Sequence, residues 1–289
     1  MKNPIVSGWY ADPESRVYND KVYIYVTKSL PFEEQLNLDL VVTEDLENFT
    51  VINDILDMGT YKGVTSAVWA PSVIENHGKY YIIFAANNIH EDNEPGGLYI
   101  GVSDTPEGKF KNIFPDGRPI INCFHNGAQP IDAHFFKDDD GTVYLYYGGW
   151  RRLNVCKMSD DLTTLLPVPG YNGVAHAITP QKYVEAPFVW KFDGVYSMMY
   201  SSGSWTQHTY CVKAAVAKNP LDEFKFMGDV LYADDLADGP GHNSAFIFKD
   251  TLYTAYHRRI IGDTNKHHRV LCIDKLTVKD GVYQPVKMT

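Results

Sequence analysis

Short apolar runs broken by turn residues dominate the chain, and they recur. VYIYV from Val22, YYIIFAA from Tyr80, VYLYYGG from Val143, VYSMMYSS from Val195 and LYTAYH from Leu252 are strand-like in length and residue type. Each follows a turn signal: Asn19-Asp20-Lys21, His77-Gly78-Lys79, Asp139-Asp140-Gly141, Asp193-Gly194 and Lys249-Asp250. A second apolar run precedes each turn, so each unit predicts a β-hairpin. No stretch carries a convincing amphipathic helical pattern, and the chain reads as all-β.

The hairpins form a repeat. Aligned on Tyr23, Tyr81, Tyr144, Tyr196 and Tyr253, they return about every 57 residues, close to the periods that mark solenoids and propellers. A four-stranded blade with generous loops fits that length, and five repeats predict a five-bladed β-propeller. With no linker or low-complexity segment, residues 1–289 are expected to form one domain. Asn3 to Val26 is expected to make the first inner hairpin, with Leu38–Thr43 and Thr50–Asn53 outside it. Leu271–Val278 and Val282–Val286 are expected to complete the last blade.

Stepping back 11 or 12 residues from each tyrosine reaches Asp12, Ala70, Asp132, Glu185 and His242. Four of these can ionise, and each opens an apolar strand. In a propeller, equivalent positions on the innermost strands surround one axis, so residues far apart in sequence converge in one funnel. Trp69 and the loop residue Trp205 are candidate stacking faces for a sugar; a core role for Trp69 fits its surroundings equally well. Carboxylates crowded in a desolvated funnel cannot all stay ionised. A neutral acid beside an ionised one is the pair that glycoside hydrolysis requires.

Composition narrows the partners. A net charge of −10 argues against nucleic acid, and no apolar run is long enough to span a membrane. The four cysteines lack metal or disulfide spacing and read as small buried hydrophobes. His267-His268 lacks metal spacing and reads as surface. The start, MKNPIVSGWYADP, has no secretory apolar region, which points to a cytosolic protein or to a secreted or periplasmic one whose leader has been removed.

Five short motifs, one per repeat, carry a family resemblance: Gly8-Trp9-Tyr10-Ala11-Asp12-Pro13, Trp69-Ala70-Pro71-Ser72, Ile131-Asp132, Val184-Glu185-Ala186-Pro187 and Gly241-His242-Asn243-Ser244. Together they resemble glycoside hydrolase family 43, the five-bladed arabinofuranosidases, β-xylosidases and arabinanases. The resemblance implies an inverting mechanism. Asp12 matches the general base, Glu185 the general acid, and Asp132 the acid that orients Glu185 and keeps its pKa high. It implies that His242 stands near an axial metal, often calcium. Arg269 is a candidate for contacting sugar hydroxyls. Ala186 departs from the glycine more common after the acid.

The stretch Phe124–Pro130, the Trp150-Arg151 strand end and the Tyr256–Arg259 strand look most like members acting on arabinofuranosides. The expectation is an exo-acting α-L-arabinofuranosidase with a carbohydrate substrate, monomeric or weakly homo-oligomeric. The alternatives are a β-xylosidase or arabinanase of the same family, and a non-catalytic sugar-binding propeller. A retaining fructan-type hydrolase is a poorer match, because it would carry Asn-Asp-Pro-Asn where Ala11-Asp12-Pro13-Glu14 stands.

Overall fold

Tight turns at positions able to adopt positive φ set the architecture. Asn19, Asp20, His77, Gly78, Asp193, Gly194, Lys249 and Asp250 all sit at positive φ, as two-residue hairpin turns demand. The computed structural model describes residues 2–168, 170–279 and 281–289. Blade 1 comprises β1 (Tyr10–Tyr18), β2 (Lys21–Lys28), β3 (Leu38–Thr43) and β4 (Thr50–Ile52). Blade 2 comprises β5 (Trp69–Asn76), β6 (Lys79–Ala86), β7 (Gly97–Ser103) and β8 (Lys111–Asn112). Blade 3 holds β9 (His134–Lys137), β10 (Val143–Tyr147), β11 (Asn154–Met158) and β12 (Leu165–Leu166), with β13 (His176–Ala177) also pairing β11. Blade 4 holds β14 (Glu185–Phe192), β15 (Val195–Ser202), β16 (Cys211–Ala217) and β17 (Lys225–Leu231). Blade 5 has β18 (Asp238–Phe248), β19 (Thr251–Arg259) and β20 (Arg269–Lys275). The described residues contain short 3-10 turns but no α-helix, and the molecule is an all-β five-bladed propeller.

Apolar side chains fill the wedges between blades. Tyr25 and Leu40 meet Phe84 and Tyr99 between blades 1 and 2. Tyr146 and Val155 meet Met198 and Ala215 between blades 3 and 4. Blades 5 and 1 join through Phe246 and Leu271 against Val22 and Ile24.

The two chain ends differ from the sequence expectation. The first inner hairpin starts at Tyr10, and the residues before it belong to the last blade. Ile5 N–H donates to Leu271 O at 3.0 Å, Ile273 N–H to Asn3 Oδ1 at 2.9 Å, and Asn3 Nδ2 to Ile273 O at 2.9 Å. The segment after β20 instead folds into a small separate ribbon, β21 (Val278–Lys279) with β22 (Val282–Tyr283). The outer edge of β20 needs partners for its backbone groups, and the N-terminal segment supplies them. That contact ties the first and last blades and closes the ring.

The axis is closed by a polar pin that the repeat did not announce. Arg16 reaches from β1 to the carbonyls of Val73 at 2.6 Å and Phe135 at 3.1 Å, and pairs with the buried Glu14. Glu14 also accepts from Ser72 Oγ at 3.2 Å and faces His134 Nδ1 at 3.5 Å, while His134 Nε2 donates to Val189 O at 2.7 Å. Ser15 N–H donates to Ser244 Oγ at 2.9 Å. These bonds link the inner strands of all five blades. Removing one partner of a buried pair leaves the other charge uncompensated, at about 3 kcal/mol. Arg16→Met is therefore expected to lower Tm by about 6–12 °C in a chain this large. Adding Glu14→Gln to that variant should restore part of the loss in a thermal melt, and an unchanged Tm for Arg16→Met would show that the pin carries no stability.

Candidate active site

The inner strands enter the axis through a shared kink. Residues 12–13 oppose a single residue of β2, and 70–71, 186–187 and 242–243 do the same in their blades. Each is a β-bulge, which bends the strand and re-aims a side chain. The first bulge residue lies in the left-handed region: Asp12 (φ 52), Ala70 (φ 51), Ala186 (φ 60) and His242 (φ 42). Asp132 takes the same conformation (φ 53) ahead of β9. Asp and His tolerate this region better than Ala, for which it costs on the order of 1 kcal/mol.

This geometry corrects the alignment of the fourth acid. β15 begins at Val195, so Tyr196 stands one residue earlier in its strand than Tyr23 does in β2. The bulge position of blade 4 is therefore Ala186, and Glu185 is the residue before it. Glu185 remains paired with Ser201, in strand register. The bulge positions thus carry two acids, one histidine and two alanines, with Glu185 beside the fourth.

All three carboxylates open into one cleft of about 360 Å³. Trp69, Trp150, Trp205 and Phe32 rim it, and Tyr210, His242, Lys266 and Arg269 also line it. Gln35 holds the indole N–H of Trp69, and Phe32 packs edge-on to Trp69 at 4.9 Å. Lys266 Nζ lies 5.3 Å from the Phe32 ring centre and 5.6 Å from that of Trp205. Asn88 and Trp205, from the loops that follow β6 and β15, both face the cleft. His267 and His268 are not plain surface: His267 meets Phe32 edge-on at 5.3 Å, and His268 stacks on Trp9 at 4.0 Å. A larger hollow of about 510 Å³ lies near Leu36, Asp54 and Lys109, away from the three axial acids.

The acids do not titrate alike. Burial pushes Asp12 up most strongly, but its neighbours, led by the Arg269 guanidinium with Nη1 at 3.1 Å from Asp12 Oδ1, together outweigh it, and the pKa falls to about 2. Arg269 also donates to Ser29 Oγ at 2.8 Å, so its first partner is the acid rather than open solvent. Burial raises Glu185 and the Asp12 charge raises it further, against a 2.8 Å hydrogen bond from Tyr210 Oη. Asp132 is pushed well above the usual range, first by burial, then by Glu185 and Asp12. The cleft thus holds one carboxylate kept ionised and two buried acids whose pKa values are pushed upwards.

Two contributors were missed in the sequence. Tyr210, the donor to Glu185, precedes β16 and lies outside the repeated hairpins. His257, in β19, accepts the Asp12 N–H on Nδ1 at 3.1 Å. Their residue types gave no signal, because each is placed by tertiary contacts alone.

The side chains alone do not enclose the calcium that the family resemblance implies, an ion held largely through water in that resemblance. Calcium takes six to eight oxygen ligands. His242 offers nitrogen, and its carboxylate neighbours, Asp12 at 3.4 Å and Asp132 at 3.8 Å, are already engaged. Among the described residues no group of three or more His, Cys, Asp or Glu is arranged to hold a metal.

Comparison with known proteins agrees with this architecture. The family model for glycosyl hydrolases family 43 matches residues 1–283. The β-D-galactofuranosidase of Aspergillus niger is 34% identical, over 99% of this chain and 85% of that protein. The β-xylosidase of Xylanibacter ruminicola is 26% identical, over 87% of this chain and 88% of that protein. The high-resolution structure of an α-L-arabinofuranosidase from Clostridium thermocellum superposes with a TM-score of 0.78 at 26% identity, covering 96% of this chain and 94% of the other. With the family model spanning nearly the whole chain, and a propeller whose acids meet at its axis, this protein is a glycoside hydrolase that belongs to glycosyl hydrolases family 43.

Proposed function

We propose that the chain acts as one catalytic unit, an exo-acting, inverting glycosidase that releases terminal α-L-arabinofuranosyl residues. The observation that carries this reading is the opposed titration of Asp12 and Glu185 in one cleft. Asp12, anionic throughout the working range, accepts a proton from water as the water oxygen attacks the anomeric carbon. Glu185 gives its proton to the leaving oxygen as the glycosidic C–O bond breaks. Water enters opposite the leaving group, so configuration inverts. Asp132, buried beside Glu185, titrates with it as a pair whose last proton is held to higher pH than a lone acid would hold it. Arg269 holds the Asp12 carboxylate in place and ionised. The aromatic rim of Phe32, Trp69, Trp150 and Trp205 supports a short, walled pocket suited to a chain end.

A second reading is favoured by the similarity to a β-D-galactofuranosidase. A β-D-galactofuranosyl ring carries its ring hydroxyls as an α-L-arabinofuranosyl ring does, and adds one hydroxylated carbon at its exocyclic end. Both sugars therefore suit the same acid and base, and the space beyond the ring decides between them. One extra group in a fitted pocket is worth about 10–200-fold. On nitrophenyl glycosides, kcat/KM for the arabinofuranoside is expected to exceed that for the galactofuranoside at least about tenfold. A faster galactofuranoside would install the second reading, and a faster β-xyloside would replace both. Proton NMR of the first-formed product should show the inverted anomer; retention would exclude Asp12 as a base acting through water.

A further inference from the structure

The base and the acid are joined behind the cleft by two rings. His257 is fully buried in β19, and its Nδ1 accepts the Asp12 N–H at 3.1 Å. An Nδ1 that accepts carries no proton, so the ring proton sits on Nε2, which is buried without a partner. The imidazole cannot take another proton without facing Arg269, and burial together with that cation holds it neutral. It is therefore not a proton carrier in this site. What it does is grip the backbone of Asp12 at φ 52, the conformation that aims the carboxylate into the cleft.

The other face of this arrangement is Tyr210. Its ring lies nearly parallel to the His257 ring, 13° between planes and 5.9 Å between centres. Its Oη donates to Glu185 Oε1 at 2.8 Å. The slot for the phenol is completed by Gly241, where a Cβ would stand only 2.0 Å from Tyr210 Cε1. A single stack thus touches the backbone of one acid and the carboxyl of the other. We propose that Tyr210 and His257 form a positioning pair that sets Glu185 and Asp12 relative to each other, Tyr210 acting through the acid and His257 through the base. This rests on the roles given above to Asp12 and Glu185.

The groups that set the Glu185 proton are Asp12 on β1, Asp132 before β9, Arg269 on β20 and the Tyr210 hydroxyl, with Tyr183 and His242 close by. The Tyr210 bond favours the ionised carboxyl, so its loss raises the pKa. Tyr210→Phe keeps the ring and removes the donor. The alkaline limb of kcat/KM is expected to move up by about half to one pH unit. His257→Ala removes the surface that seats the phenol. Although His257 does not touch Glu185, this variant is expected to shift the same limb in the same direction, with kcat down about tenfold or more and KM changed less than about threefold. The double variant should move the limb no further than Tyr210→Phe alone.

His257→Phe, which retains a ring against Tyr210, guards against a folding failure of the alanine variant. It should keep the limb in place while lowering kcat, because only the Asp12 acceptor is gone. An alkaline limb unmoved in both Tyr210→Phe and His257→Ala would overturn the pairing, as would shifts that simply add in the double variant. Should Asp12→Asn and Glu185→Gln leave turnover intact, the assigned roles have failed; should they abolish it while Tyr210→Phe behaves as wild type, only the positioning pair has failed.

Discussion

Asp12→Asn is expected to reduce kcat/KM on an aryl α-L-arabinofuranoside by about 10³-fold or more, within the range a positioned acid or base contributes. Asparagine has the same shape and tolerates the same positive φ, so loss of the base is separated from loss of the fold. The loss is expected for every leaving group, since water must be activated whichever alcohol departs. Glu185→Gln should behave differently. On an aryl leaving group of low pKa, which needs little protonation, the loss should be small, and on an alkyl glycoside or an oligosaccharide it should approach that of Asp12→Asn. A Brønsted series across leaving groups measures this, with a steep slope for Glu185→Gln and a wild-type slope for Asp12→Asn. Equal slopes would mean that Glu185 is not the proton donor. Stability adds an independent readout. The folded pKa of Asp12 lies below its unfolded value, so its stabilising charge is complete above the ordinary carboxylate range and is lost only as pH falls through about 2. Asp12→Asn also leaves Arg269 without its carboxylate, and its Tm at neutral pH should fall below that of the wild type.

The reach of the sequence is clearest where turn chemistry and strand pattern agree. Asn19-Asp20, His77-Gly78 and Asp193-Gly194 mark hairpins because few other residues accept their backbone angles, and the five inner hairpins stand where those turns place them. The convergence of Asp12, Asp132 and Glu185 follows from equivalent strand entrances around one axis. The one-residue offset of Glu185 was hidden because the bulge of blade 4 faces Tyr200, four residues past Tyr196, whereas those of blades 1, 2 and 5 face the residue three past their tyrosines, a shift that only pairing reveals. The N-terminal closure was hidden for another reason. Asn3 and Ile5 satisfy the edge of β20 more than 260 residues away, and nothing local marks them for it. Tyr210, His257 and the Glu14–Arg16 pair share that character: Tyr210 lies against the His257 ring, His257 accepts the Asp12 N–H, and Arg16 reaches the carbonyls of Val73 and Phe135, each in another blade. Local rules specify the blades, and what binds the blades to each other has to be seen in place.

Asp132→Asn should separate activity from stability in opposite directions. Asp132 is buried beside Glu185 and Asp12, and its folded pKa stands well above the unfolded value. For such a group the sign is the reverse of that for Asp12. Stability is complete below the unfolded pKa, where the carboxyl is neutral in both states, and is lost as pH rises through the folded pKa. An asparagine cannot ionise, keeps an acceptor for the Ala186 N–H, and is at ease at φ 53. The variant should therefore match the wild type in thermal melts below the ordinary carboxylate range and exceed it increasingly as the pH rises from there towards the folded pKa of Asp132. Its kcat/KM should nevertheless fall, by about 10² on substrates with poor leaving groups. Without the neighbouring acid, Glu185 loses its proton more readily, and the alkaline limb of the pH profile should move down. This is the opposite of the displacement expected for Tyr210→Phe, and the two variants bracket the wild-type limb from either side. A variant that melts lower than the wild type at alkaline pH would show that Asp132 serves the fold, and an unmoved limb would show that it does not govern the proton on Glu185.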